Sequence, residues 1–126
     1  MRPISTRVHG MVDYATGALL LVSPYLFGFS GDRTATTVAL IFGVGAVAYS
    51  VLTDYELGLI RLLPMVVHVG LDALAGGVLA LLPIVIAVDR RAAWLFGVVG
   101  LFSLAMGFLT RTERGSLART GSTARF

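Results

Sequence analysis

Four stretches of this 126-residue chain carry almost no charge. No charged residue occurs between Asp13 and Asp32, between Arg33 and Asp54, or between Arg91 and Arg111. From Arg61 to Asp89 only Asp72 interrupts the run. Each stretch is close to the roughly 20 residues needed to cross a hydrocarbon core about 30 Å thick. In hydrocarbon a single segment can satisfy its backbone polar groups only as a helix. The spacing therefore predicts an all-α membrane protein with four transmembrane helices. A soluble four-helix bundle is excluded by the same runs, because residues 38–52 and 95–109 offer no polar face to water. Composition agrees: 13% of the residues are charged, against about 25% in an average soluble domain.

The chain also says the same thing twice. His9, Asp13, Gly17 and Pro24 are matched 59 positions on by His68, Asp72, Gly76 and Pro83, and Arg2 by Arg61. Leu52, Thr53, Glu56 and Gly58 are matched 57 positions on by Leu109, Thr110, Glu113 and Gly115. These offsets imply two tandem helix-pair repeats, about residues 2–58 and 61–115. The four-helix domain spans residues 1–110, and residues 111–126 form a polar tail expected to be mobile. Each repeat crosses twice, so both start from the same side, and a pseudo-two-fold axis along the membrane normal should relate them.

The expected helices are 8–29, 36–53, 64–88 and 93–110. Ser5 or Thr6 can cap the first, and Pro64 opens the third, where a missing N–H is harmless. Pro24 and Pro83 should kink or end their helices, with Ser23 supplying a hydroxyl to the backbone group that Pro24 frees. Tyr25, Phe27, Phe29 and Trp94 read as interfacial aromatics. Small residues repeat at Ala46 and Ser50 and again at Ser103 and Gly107, a spacing that lets membrane helices approach closely. Self-association, or a membrane-protein partner, is expected on the same ground.

Every basic residue is an arginine. With one crossing per apolar run, Arg2, Arg7, Arg61, Arg111, Arg114, Arg119 and Arg125 fall on one side of the bilayer; Arg33, Arg90 and Arg91 fall on the other. Seven against three places both termini in the cytoplasm. The arginines lie in tails and loops, so topology accounts for them without nucleic acid. The basic start and apolar run have the outline of a signal peptide, but the run continues past a typical cleavage region without a convincing small-x-small site, and it is expected to remain as the first helix. Arginine without lysine, alongside abundant Ala, Gly and Val, fits a GC-rich bacterial genome and an inner-membrane location. The absence of cysteine removes disulfides, thiolate metal sites and thiol chemistry.

The stretch Ser23-Pro24-Tyr25-Leu26-Phe27-Gly28-Phe29, preceded by His9, Asp13-Tyr14 and Gly17, resembles the SPW-repeat family of small prokaryotic membrane proteins. Residues 52–58 with Pro64, His68 and Asp72 share the likeness, which runs from about Arg2 to Thr112. The resemblance implies a repeated helix pair in the membrane and no particular biochemical activity. Tyr25 stands where the motif has tryptophan, and the second copy reads Leu82-Pro83-Ile84.

Chemistry is concentrated in the duplicated polar residues. His9 and Asp13 are four apart, as are His68 and Asp72, so each pair shares one helix face. Thr53, Glu56, Thr110 and Glu113 lie at the same depth, and together these residues could gather two imidazoles and four carboxylates near the cytoplasmic face. One reading is structural: the aspartates favour helix N-termini, pair with their own histidine or with an arginine, and the glutamates pair with arginine. Thr53 and Thr110 would then bond backbone. The others are a proton relay and a divalent-metal site, for which imidazole and carboxylate suit. Haem ligation would require His9 and His68 to face each other across a ring-sized gap. No phosphate-binding glycine motif is present, and Ser50 and Ser103 have no evident His–Asp partner. The leading expectation is a structural or accessory membrane protein without enzymatic activity or cofactor; ion or proton transport and metal binding are the alternatives. The arginine split yields a direct expectation: with reporters fused after Phe126, one that works only in the cytoplasm should be active and one that works only in the periplasm silent. The reverse outcome rejects the topology.

Overall fold

Short polar side chains set where the helices begin. In the computed structural model, which describes residues 2–110 and Thr112, four helices follow one another: α1 (Thr6–Leu26), α2 (Arg33–Val51), α3 (Met65–Val85) and α4 (Arg90–Leu109). Ser5 caps α1 by accepting the Val8 N–H at 3.3 Å. Asp32 caps α2 through the Ala35 N–H at 3.0 Å, and Asp89 caps α4 through the Arg91 N–H at 2.8 Å. These aspartates start α2 and α4 three residues earlier than the apolar pattern suggests, because capping outweighs hydropathy at a helix start. Among the described residues there is no strand, only two isolated bridges.

Proline sets two of the ends. α1 stops at Leu26, two residues after Pro24, and Gly28 follows in the left-handed region at φ 76°. The Leu20 carbonyl, which would have accepted the N–H that Pro24 lacks, takes the Ser23 hydroxyl instead at 2.7 Å. α3 stops at Val85, two residues after Pro83. Both helices are therefore shorter than expected, ending before Phe29 and Val88.

α2, α3 and α4 are long and apolar enough to cross a membrane. α1 matches α3 in length but holds Arg7, His9 and Asp13 in its first half, and does not reach the same hydropathy. Apolar side chains face outward on all four helices, among them Met11, Val22, Ile41, Val44, Leu74, Leu81, Val98 and Leu101. Faces of this kind suit lipid contact, and the chain is a multi-pass membrane protein.

The helices pack as two hairpins, α1 on α2 and α3 on α4, which touch each other more lightly. Glycine allows each hairpin to close. A Cβ at Gly43 would lie 3.0 Å from the Gly17 carbonyl oxygen; one at Gly100 would lie 2.6 Å from that of Gly76. At the end where the hairpins turn, Leu20, Phe29, Ala35, Ala39, Leu79, Ala92, Phe96 and Val99 form a common core. Phe29 meets Phe96 edge-on at 6.1 Å and is only 1% exposed, so it belongs to this core and not to an interfacial belt; Tyr25, Phe27 and Trp94 do face outward. Two polar ties cross between hairpins here. Asp32 also accepts the Asp89 N–H at 2.6 Å, and Arg91 donates to the Gly28 and Phe27 carbonyls that end α1. The Ala35 and Asp89 N–H groups hold the Asp32 carboxyl below the usual range.

At the opposite end the chain crosses over. Ile4 donates its N–H to the Leu109 carbonyl at the end of α4, and Leu63 donates to that of Leu52 after α2, at 3.1 and 2.8 Å. Ile4 and Leu63 are themselves 59 apart, so the two segments that lead into α1 and α3 dock on equivalent helix ends. Close packing at one glycine gives an expected outcome. Gly76→Ala would press its methyl on the Gly100 carbonyl, at a cost of about 1–3 kcal/mol. Gly77→Ala meets nothing within 4 Å and should hold or raise the melting temperature, since alanine is the better helix former. Equal losses from both, measured by circular dichroism in detergent, would reject the crossing.

Candidate functional site

α1 and α3 start so that each places a histidine in its second turn. The His9 N–H reaches the Ser5 carbonyl at 3.0 Å and the His68 N–H that of Pro64 at 3.1 Å, equivalent positions in the two helices. Asp13 and Asp72 follow one turn later on the same faces. These faces turn toward each other, and all four side chains are buried: both histidines at 0% exposure, Asp72 at 3% and Asp13 at 8%.

Each imidazole bonds mainly to the other repeat. His9 Nε2 meets Asp72 Oδ2, and His68 Nε2 meets Asp13 Oδ2 at 2.5 Å. The aspartates of their own helices are farther, 3.1 Å from His9 and 3.4 Å from His68. One ligand atom from each of the four residues lies within 4.8 Å of the others. The imidazole rings cross at 75° with centroids 5.3 Å apart, which leaves no gap for a haem between them.

The second ring nitrogens carry the pattern further. His9 Nδ1 lies 2.5 Å from Thr110 Oγ1, and His68 Nδ1 lies 2.6 Å from Thr53 Oγ1. Each threonine hydroxyl also donates to a carbonyl one turn back, Met106 at 2.6 Å and Tyr49 at 2.5 Å. A carbonyl can only accept, so the hydroxyl hydrogen is committed there, and the threonine oxygen accepts from Nδ1–H. Both imidazoles are thereby oriented with Nδ1 protonated and Nε2 toward the carboxylates.

A rim of hydroxyls completes the site. Tyr49 donates to Asp72 Oδ1, and Ser50 to Asp13 Oδ2 at 3.4 Å. The Tyr49 ring stands edge-on to His68 at 4.9 Å, and the Tyr55 ring lies 5.9 Å from it. Tyr55 is fully buried over Gly10, where a Cβ would fall 2.1 Å from its ring. Its hydroxyl lies near those of Tyr14 and Ser50 without a well-aligned hydrogen bond, and burial raises its pKa so that it stays neutral. Beside the site a cleft of about 150 Å³ runs between α2 and α3, walled by Leu20, Phe42, Leu79 and Val99 with Tyr49 and Asp72 at its polar end.

His9, Asp13, His68 and Asp72 thus converge, and Thr53 and Thr110 join them as acceptors for the imidazoles as well as donors to backbone. Each aspartate lies within ion-pair reach of its own histidine, as expected, at 3.1 and 3.4 Å, but its nearer partner is the histidine of the other repeat. Glu56 is exposed and accepts the Thr6 hydroxyl at 2.7 Å. Glu113 and the tail from Arg111, Thr112 apart, lie outside the described residues. Ser50, expected to lack a His–Asp partner, has Asp13. Tyr49 and Tyr55 were not singled out; the position of Tyr49, one turn before Thr53 on α2, is the signal that could have found it.

The SPW repeat domain family matches residues 7–113, across both His/Asp pairs. The chain belongs to this family. No curated protein and no solved structure matches it. As a member of the family it is a small membrane protein, and the chemistry available at its centre is that of two imidazole nitrogens and two carboxylate oxygens aimed at one point. Such a set can hold protons or a cation, and can tie together the helices that supply it.

The doubly used threonines can be tested. Thr110→Val leaves both the His9 N–H and the Met106 carbonyl unsatisfied, which should cost about 1–3 kcal/mol. Thr110→Ser should restore most of the loss. Thr37→Val removes only an exposed hydroxyl bond to the Arg33 carbonyl and should change little. Thermal unfolding in detergent separates the three, and a silent Thr110→Val would reject the assigned bond.

Proposed function

We propose that this protein is a non-enzymatic accessory component of the bacterial inner membrane, built from two hairpins that the central His/Asp/Thr cluster locks together. The direction of the bonds carries this reading. His9 reaches Thr110 and Asp72, and His68 reaches Thr53 and Asp13, so both imidazoles span the boundary between hairpins. Apart from the core and polar ties at the turn end, the hairpins are packed lightly against each other. In lipid there is little hydrophobic drive between helices, and buried polar bonds are one of the few forces left to hold them.

In this reading α1 is the fourth span. Its ionisable residues His9 and Asp13 point into the cluster, while Val8, Met11, Val22 and Leu26 face outward and suit lipid. Four crossings would leave both termini on one side, which the arginine bias assigns to the cytoplasm, and a pseudo-two-fold along the membrane normal would relate the repeats. The outward apolar faces that do not meet lipid would bind a second copy or a membrane-protein partner. A second reading, ion or proton handling, is favoured by one observation: the four ligand atoms converge on a point instead of forming separate pairs at the headgroups.

The lock predicts strong coupling across the hairpin boundary. Removing one partner of a buried ion pair costs about 3–5 kcal/mol, so His9→Ala and Asp72→Ala should each be severely destabilising. The double variant should lose much less than the sum, with a coupling of about 1.5 kcal/mol or more. His9→Ala combined with Glu56→Ala should be close to additive. If His9 and Asp72 are additive as well, no lock exists between them.

A further inference from the structure

We infer that the cluster is a site for one divalent transition-metal ion, with His9 Nε2, His68 Nε2, Asp13 Oδ2 and Asp72 Oδ2 as its four ligands. The inference rests on the lock reading and deepens it: the ion is the joint between the hairpins.

Hydrogen-bond accounting comes first. Because Thr53 and Thr110 spend their hydrogens on the Tyr49 and Met106 carbonyls, both histidines donate from Nδ1. The lone pair of a neutral ring then sits on Nε2, and it points at a carboxylate oxygen, itself an acceptor. Four such atoms around one point need positive charge between them, supplied either by protons on both Nε2 atoms or by one cation at their centre.

Geometry distinguishes a shared ion from two separate pairs. Asp13 Oδ2 lies 2.5 Å from His68 and 3.1 Å from His9, so both rings share the same oxygen; Asp72 Oδ2 is likewise placed against His9 and, at 3.4 Å, His68. Metal–nitrogen and metal–oxygen bonds of about 2.0–2.2 Å in a tetrahedron set neighbouring ligand atoms roughly 3.3–3.5 Å apart. The pairs within one helix lie close to that spacing already, and the pairs across the boundary need only a small opening. The rings, crossed at 75°, approach the centre from different directions.

The surroundings match what a metal requires. Ligating histidines donate their other N–H to an oriented acceptor, as both do here to threonine. Tyr49 and Ser50 hold the carboxylates in turn. A divalent ion with two carboxylates and two neutral imidazoles has no net charge, which suits a buried position among apolar helices. Two nitrogens and two oxygens select zinc, manganese or iron over calcium or magnesium, and four ligands in a closed shell fit zinc. The Tyr55 ring, fully buried, lies 5.9 Å from the His68 ring and helps to close the site.

The test uses the full chain in detergent, stripped with chelator and then loaded with zinc chloride. About one zinc per chain should remain after desalting, and X-ray absorption should show a shell of four nitrogen or oxygen atoms with two imidazoles. Zinc should raise the melting temperature by mass action, calcium should not, and His68→Ala should abolish the rise. Thr53→Val should weaken zinc binding by about 10–100-fold, as loss of an orienting partner does. A parent protein that retains no zinc, or a shell without two imidazoles, overturns the inference even where a variant fails to fold. So does a rise that persists in His68→Ala. If zinc is not held yet His9 and Asp72 remain coupled, the lock survives with protonated imidazoles in place of the ion, and only the metal assignment falls.

Discussion

Ionisable side chains inside an apolar bundle must satisfy one another, and the rest of this structure follows from how two histidines and two aspartates do so. Desolvating an isolated carboxylate costs far more than a single helix contact returns. Asp13 and Asp72 therefore hold two helices at a fixed distance and rotation, because only there can the opposite imidazole reach them. The imidazoles in turn fix where α2 and α4 end, since Thr53 and Thr110 must arrive at Nδ1 with their hydroxyl hydrogens already committed to backbone. One demand, that no polar valence be left open, thus orders parts of all four helices. Among the buried side chains of the described residues, the Tyr55 hydroxyl is the atom without a well-aligned hydrogen bond.

The rest of the packing leaves room for the cluster to act. Glycine contacts close each hairpin on itself, through Gly17 with Gly43 and Gly76 with Gly100. Between hairpins the ties sit at the ends: the aromatic core with Asp32 and Arg91 at the turns, and the cluster with Ile4 and Leu63 opposite. Such an arrangement gives the hairpin interface an apolar core at one end and polar contacts at the other. A change at the centre, whether of proton or of metal, would be felt directly in how the hairpins sit. The two halves are not interchangeable there: Tyr49 donates to Asp72, while its counterpart 57 positions on is Met106, which has no hydroxyl to offer Asp13.

Much of this was legible in the residues alone. Charge-free runs announced the helices, the prolines their ends, and Ser23 its service to the carbonyl that Pro24 leaves free. His9, Asp13, His68 and Asp72 stood out because duplicated ionisable residues beside apolar runs are rarely idle. Helix limits were less legible, because the caps at Asp32 and Asp89 lie among residues that also read as loop. Phe29 looked interfacial beside Tyr25 and Phe27; the turn at Gly28 carries it inward onto Phe96.

Partner choice could not be read from spacing. Four residues apart, His9 and Asp13 are natural partners on one helix, and nothing local says that Asp72 lies nearer. The sequence by itself determined the class of molecule, its doubled plan and the residues able to do chemistry, because hydropathy, periodicity and repetition are properties of the chain. Only the tertiary structure decided that the pairs exchange partners across the hairpins, that the threonines orient both imidazoles, and that Glu56 takes the Thr6 hydroxyl. Those outcomes depend on which helix faces meet, and burial makes the meeting of opposite faces cheaper than leaving either pair alone in an apolar interior.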